Sequence, residues 1–139
     1  MPCEVDRVSG GSARGRGQEK RVVASGGNSG IDIGINSAGV EKIAMFRKHS
    51  PEHFSKITAI QFNGAVHFMQ HVSNVMENGG NLVNISSLTG SLAAPGYVAY
   101  AGAKAGVIHA SKVAAVELGR GPVNTSEALR RQGRSTETP

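Results

Sequence analysis

With 139 residues the chain has room for one domain, and at 39% hydrophobic content with no tryptophan, part of it is expected to stay outside any core. The net charge of +5 is carried mostly by the ends: residues 1–22 and 120–139 hold +2 each, and residues 23–119 only +1. That distribution excludes the clustered basic face of a nucleic-acid binder, apolar runs far below ~18 residues exclude a membrane-spanning helix, and a single cysteine, Cys3, excludes an internal disulfide.

Residues 1–20 are rich in Gly, Ser and Arg and read as a disordered tail with no apolar signal core, so a cytoplasmic chain is the expectation. Arg21 to Ser25 reads as a short strand. Gly26, Gly27, Asn28, Ser29 and Gly30 form a strong turn signal, and Ile31 to Asn36 reads as a second strand ending at Ser37-Ala38-Gly39. Only those five residues separate the two strands. A parallel neighbour needs a crossover of a dozen or so residues, so the first strand must pair antiparallel with the second or leave the sheet.

A long helix is expected from Ser50 onward. Ser50 suits the N-cap, Pro51 the first helical position, and Glu52 complements the positive helix end. Phe54, Ile57, Gln61, Ala65, Phe68, Val72 and Val75 recur at steps of three and four, with Gly79-Gly80 as the stop. Asn81 to Ser86 reads as a strand, Ser87 to Gly96 as a loop, Val98 to Leu118 as a second long helix, and Gly121 to Thr125 as the start of another strand. The small residues from Ala101 to Gly106 would let that helix lie close to a neighbouring layer. This order predicts an α/β fold: a partial, Rossmann-like (doubly wound) parallel sheet with two long crossover helices, spanning residues 21–125, with disordered tails at 1–20 and 126–139.

Tyr100 and Lys104 stand four apart at the start of the second long helix, which stacks them on one face. An ammonium beside a phenol favours the phenolate, and such a tyrosine can exchange a proton with an alcohol or carbonyl oxygen. The pair alone is a weak signal, equally at home on a plain surface. Its setting is more specific. Asn36-Ser37-Ala38-Gly39 follows one strand, Asn84-Ile85-Ser86-Ser87 ends the next, and Ser87 precedes Tyr100 by 13 positions. The ordered motifs D-I-x-x-N-x-A-G, G-G-x-L-V-N-I-S-S-x-x-G, Pro95, Tyr100 and Lys104 span Ile31 to Leu118. In these the chain resembles the short-chain dehydrogenase/reductase family.

The resemblance implies an NAD(P)-dependent oxidoreductase interconverting an alcohol and a ketone or aldehyde. Tyr100 would be the acid/base, Ser87 (rather than Ser86) would bind the substrate oxygen, and Lys104 would support Tyr100 and hold the nicotinamide ribose. Asn36, Ala38 and Gly39 would line the adenosine side of NAD or NADP, and Gly26 and Gly30, in a remnant of the family's T-G-x-x-x-G-I-G, the pyrophosphate. Gln61 stands where the family places an asparagine that supports a relay water; a buried glutamine bonded to backbone fits the position as well, and Asn63 lies on another face. The family's two βα units between the glycine motif and N-A-G, about 60 residues, have no counterpart, nor has the loop that closes over the nicotinamide. The resemblance also implies a homo-oligomer, or pairing with a related subunit, through the two long helices. An inactive fragment that serves only as such an interaction module is the alternative reading.

No metal site is expected. His67 and His71 are four apart on a helix but lack the intervening glutamate and a third ligand. His49, His53 and His109 read as surface or packing residues, and Met45, Met69 and Met76 as core filler.

Overall fold

The computed structural model describes residues 22–25, 31–76, 79–119 and 123–130, with side chains for 31–76 and 79–119. The remainder of both tails and the glycine turn, Gly26 to Gly30, lie outside the described residues. Four strands form one sheet in chain order: β1 (Val22–Ser25), β2 (Ile33–Asn36), β3 (Gly80–Ser87) and β4 (Val123–Arg130). β2, β3 and β4 are parallel. β1 is antiparallel to β2, with Val22 opposite Asn36 and Ser25 opposite Ile33. Of the two outcomes that the short linker allows, the first strand thus takes antiparallel pairing. β4 runs on to Arg130, past residue 125 where the folded part was expected to end. Its eight residues pair in continuous register with all of β3, and ladder pairing overrides the polar composition of residues 126–130.

The first long helix is segmented. α1 covers Pro51–Thr58, a π-helical turn covers Ala59–Asn63, and α2 covers Gly64–Asn74. Ser50 caps α1 by accepting from the His53 N–H at 3.3 Å. The exposed Glu52 carboxyl is held below its usual range, first by its own backbone N–H and then by a hydrogen bond from the Ser50 side chain. The extra residue of the π turn re-phases the stripe. Ile57, Gln61, Ala65, Phe68 and Val72 are buried as the periodicity predicts, but Phe54 and Val75 at its two ends are each 47% exposed. Met69 and Met76 take up core positions, whereas Met45, expected as core filler, is exposed on the loop before α1. α2 ends at Asn74, short of the glycines, and Gly79 (φ 88°) turns the chain into β3.

α3 (Val98–Leu118) has the expected limits. It packs with α2 over β3, and the core forms two groups. Phe68, Met69, Val72, Met76 and Leu82 make one; Ile57, Ala99 and Ala103, with Val40, Phe62 and Tyr100 against them, make the other. Two glycines set the layer spacing. A Cβ on Gly34 would come within 2.9 Å of Val72 and 3.0 Å of Phe68, so its absence lets α2 lie on β2. A Cβ on Gly106 would meet the Phe62 ring at 2.9 Å, so that ring rests on the α3 backbone.

Candidate active site

β2 and β3 end at the same edge of the sheet, at Asn36 and Ser87. The loop from β3 carries a 3-10 turn, Leu88–Gly90, that folds back under α3: a Cβ on Gly90 would touch Ala105 N and Lys104 C at 3.1 Å. That contact fixes the first turns of α3 beside the end of β3. Tyr100 and Lys104 therefore come to this edge together, with the Lys104 ammonium 5.8 Å from the Tyr100 ring centroid. Lys104 is only 6% exposed, and its Nζ donates to the Ile85 carbonyl at 2.8 Å. Buried, bonded to backbone and over an aromatic ring, it is a held charge rather than a solvated surface lysine.

Ser87 is 1% exposed, and its Oγ accepts from Thr89 N–H at 3.3 Å and shares a proton with Thr89 Oγ1 at 3.0 Å. The neighbouring Ser86 is committed to structure: its hydroxyl donates to the Lys104 carbonyl at 3.3 Å. Thr89 escaped sequence reading, because nothing in its local pattern marks it as Ser87's partner. Tyr97 escaped it as well. Its ring meets Tyr100 edge-on, centroids 6.1 Å apart at 68°. Burial first, then the Glu41 carboxylate bonded to it, raises the Tyr97 phenol above its usual range.

Gln61 lies 2% exposed in the π turn, beneath the loop after β2. Its Nε2 donates to Val40 O at 2.6 Å, and its Oε1, buried, meets no donor among the described residues. A Cβ on Gly39 would stand 3.1 Å from that oxygen, so the loop passes tightly over the amide there. Asn36 is turned inward. Its Nδ2 donates to Asn84 Oδ1 at 3.1 Å, its Oδ1 accepts from Ala38 N–H at 3.1 Å, and Asn84 Nδ2 donates to Ser111 Oγ at 3.0 Å. Asn36 therefore ties β2 to β3 and α3 and shapes the Ala38-Gly39 turn, with both ends of its amide engaged. Period-two alternation with the buried Leu82 could have shown that Asn84 faces the helices; Ser111 gave no such sign. His67 and His71 are exposed on α2, and no group of three metal-ligating side chains occurs among the described residues.

Gly26 and Gly30 lie outside the described residues, but their flanks are placed. Ser25 pairs with Ile33, and Ile33 with Asn81, near the start of β3. Ser87 lies six residues further along β3, about 20 Å away at ~3.3 Å per residue. Ser25 and Ile33 thus stand at the edge of the sheet opposite Tyr100. A dinucleotide site needs the glycine loop and a following helix N-terminus at the same edge as the reacting groups. Strands whose flanking residues Ser25 and Ile33 lie at the other edge do not fit a pyrophosphate site beside Tyr100.

A family model described as enoyl-(acyl carrier protein) reductase matches residues 20–125. The fold is similar to that of a protein named as a putative short-chain alcohol dehydrogenase from Sinorhizobium meliloti 1021, with a TM-score of 0.73 at 26% identity over 79% of this chain and 44% of that one. The chain belongs to the short-chain dehydrogenase/reductase family. Among curated relatives, acetoacetyl-CoA reductase of Rhizobium meliloti is 35% identical over 89 residues, 63% of this chain and 37% of the relative. The 3-oxoacyl-(acyl-carrier-protein) reductase of Staphylococcus epidermidis is 30% identical over 101 residues, 71% of this chain and 41% of the relative. This short-chain dehydrogenase/reductase chain thus spans about two fifths of the length of the relatives it matches. No helix among its described residues is long and apolar enough to cross a membrane.

Proposed function

We propose that the chain carries the alcohol- and carbonyl-handling half of an NAD(P)-dependent oxidoreductase site, and that by itself it holds the dinucleotide weakly. The observation that supports this best is the buried Lys104 ammonium 5.8 Å from the Tyr100 ring at the edge where β3 ends in Ser87. Tyr100 gives a proton to a carbonyl oxygen or takes one from an alcohol, and the Lys104 charge stabilises the phenolate that remains. Ser87, released from Thr89, donates to the substrate oxygen. Gln61, with one oxygen unmatched in a polar niche beside Gly39, holds a water there. The hydride belongs to the nicotinamide, and no step through that group follows from a chain in which Ser25 and Ile33, on either side of the glycines, stand at the opposite edge. The test is carbonyl reduction at millimolar NADPH or NADH. Slow turnover that Tyr100→Phe abolishes, with the fold intact by circular dichroism, supports the reading; equal rates for both proteins refute it.

A second reading is carried by the outer face of the helices. α2 and α3 leave a largely apolar groove of about 490 Å³ between them, lined by Phe62, Val66, Met69, Ala110, Val113 and Leu118 among others. Val113 on its α3 side is 45% exposed. Such a face suits pairing with a second copy or a related subunit, a role that needs no dinucleotide.

A further inference from the structure

The loop between β2 and α1 presents bulky apolar side chains to solvent. Ile43 is 58%, Met45 61% and Phe46 77% exposed, and Leu92, on the loop after β3, is 63% exposed. Scattered exposed apolar residues need no explanation, but these belong to two loops that leave the Tyr100 edge and are tied to each other. Ala44 N donates to Gly96 O at 3.0 Å, and a Cβ on Gly96 would strike Ile43 Cγ2 at 2.8 Å. Glu41 bonds Tyr97, whose ring meets Tyr100, and Val40 packs with Tyr100 on the same core group. The apolar loop is thereby anchored beside the candidate acid/base.

Cations are interleaved with it. Lys42, Arg47 and Lys48 are exposed, the last two within the 3-10 turn Phe46–Lys48. The nearby carboxylates are engaged locally: Glu41 by Tyr97, and Glu52 by the start of α1 and Ser50. Apolar bulk alternating with positive charge at the mouth of a proton-transfer site matches a ligand with a hydrocarbon body and an anionic end. We infer that the substrate of this site is an amphipathic carbonyl or alcohol, an alkyl chain ending in a carboxylate or phosphate, with the chain on Ile43, Met45, Phe46 and Leu92 and the anion on Lys42, Arg47 and Lys48. The inference rests on the proton-transfer reading for the location of the reacting oxygen, but its test does not require turnover.

The test is titration of the full chain, followed by amide chemical shifts in NMR, with three probes: a straight ten-carbon keto acid, the ten-carbon ketone without the carboxylate, and a five-carbon keto acid. The long keto acid is expected to bind about tenfold more tightly than either of the others, with shifts confined to residues 41–48 and 92–100. Phe46→Ser, and Arg47→Gln with Lys48→Gln, are each expected to weaken it severalfold; all three positions are exposed, so folding is not at stake. Binding is read without cofactor or turnover, so that loss of the catalytic reading would not mimic loss of this one. Equal affinity for the three probes overturns the inference. So does an unchanged affinity in Phe46→Ser, or binding of phosphatidylglycerol vesicles through these residues with no binding of the keto acid, which would make the loop a membrane contact.

Discussion

Ser25 stands opposite Ile33 in an antiparallel pair at the edge of the sheet where β3 begins. Everything about the dinucleotide follows from that pairing. A glycine turn that starts there is separated from Ser87 by about the length of β3, and the hairpin leaves no room for a crossover helix after it. Calorimetric titration with NADH or NADPH is therefore expected to show dissociation constants on the order of a millimolar or weaker. Micromolar binding of either would contradict the placement of the glycines.

Lys104 is expected to matter to the fold as well as to the chemistry. Its Nζ is the donor to the Ile85 carbonyl inside the protein. Lys104→Met keeps the length of the side chain but leaves that carbonyl unmatched, at a cost of about 1–3 kcal/mol. Denaturant titration should show this loss, together with loss of whatever slow carbonyl reduction Tyr100 supports. A variant as stable as the parent would show that the bond to Ile85 contributes nothing.

Asn84 is fully buried and joins Asn36 to Ser111. Asn84→Leu removes both bonds, leaving Asn36 Nδ2 without its acceptor and Ser111 Oγ without its amide donor, so it should destabilise the chain by roughly 2–4 kcal/mol as two buried groups each lose a partner. The double change Asn84→Leu with Ser111→Ala should recover part of that. Additive losses in a denaturant-melt double-mutant cycle would mean that the two residues are not coupled.

Self-association should depend on the outer helix face. Val113→Glu places a charge in the α2–α3 groove without touching the core, since Val113 is already 45% exposed. Light scattering is expected to show an assembly in the parent and a shift toward monomer in the variant. A parent chain that is monomeric at all concentrations, with a sharp cooperative melt, would leave that face without a pairing role.

The sequence by itself determined the local elements and one non-local fact. α3 has its expected limits because a helix of small and apolar residues between a Pro-Gly turn and Gly119 has little alternative, and the four-residue step puts Tyr100 and Lys104 on one face whatever surrounds them. That β1 cannot lie parallel beside β2 follows from chain length alone, since five residues cannot make a parallel connection; that it pairs antiparallel rather than leaving the sheet was decided by the fold. Tertiary structure decided what depends on partners distant in sequence. Gln61 and Gly39 are 22 positions apart, and only packing shows that the glutamine sits in a π turn beneath that loop. Asn36 bonds inward to Asn84 because the parallel register of β2 and β3 sets them side by side. Met45 is exposed and Met76 buried although both are equally apolar, because burial is fixed by which surface faces the sheet and the helices, not by residue type. Residues 126–130 extend β4 because β3 offers a long paired edge, and hydrogen bonds to a neighbouring strand are invisible in the composition of the strand that receives them.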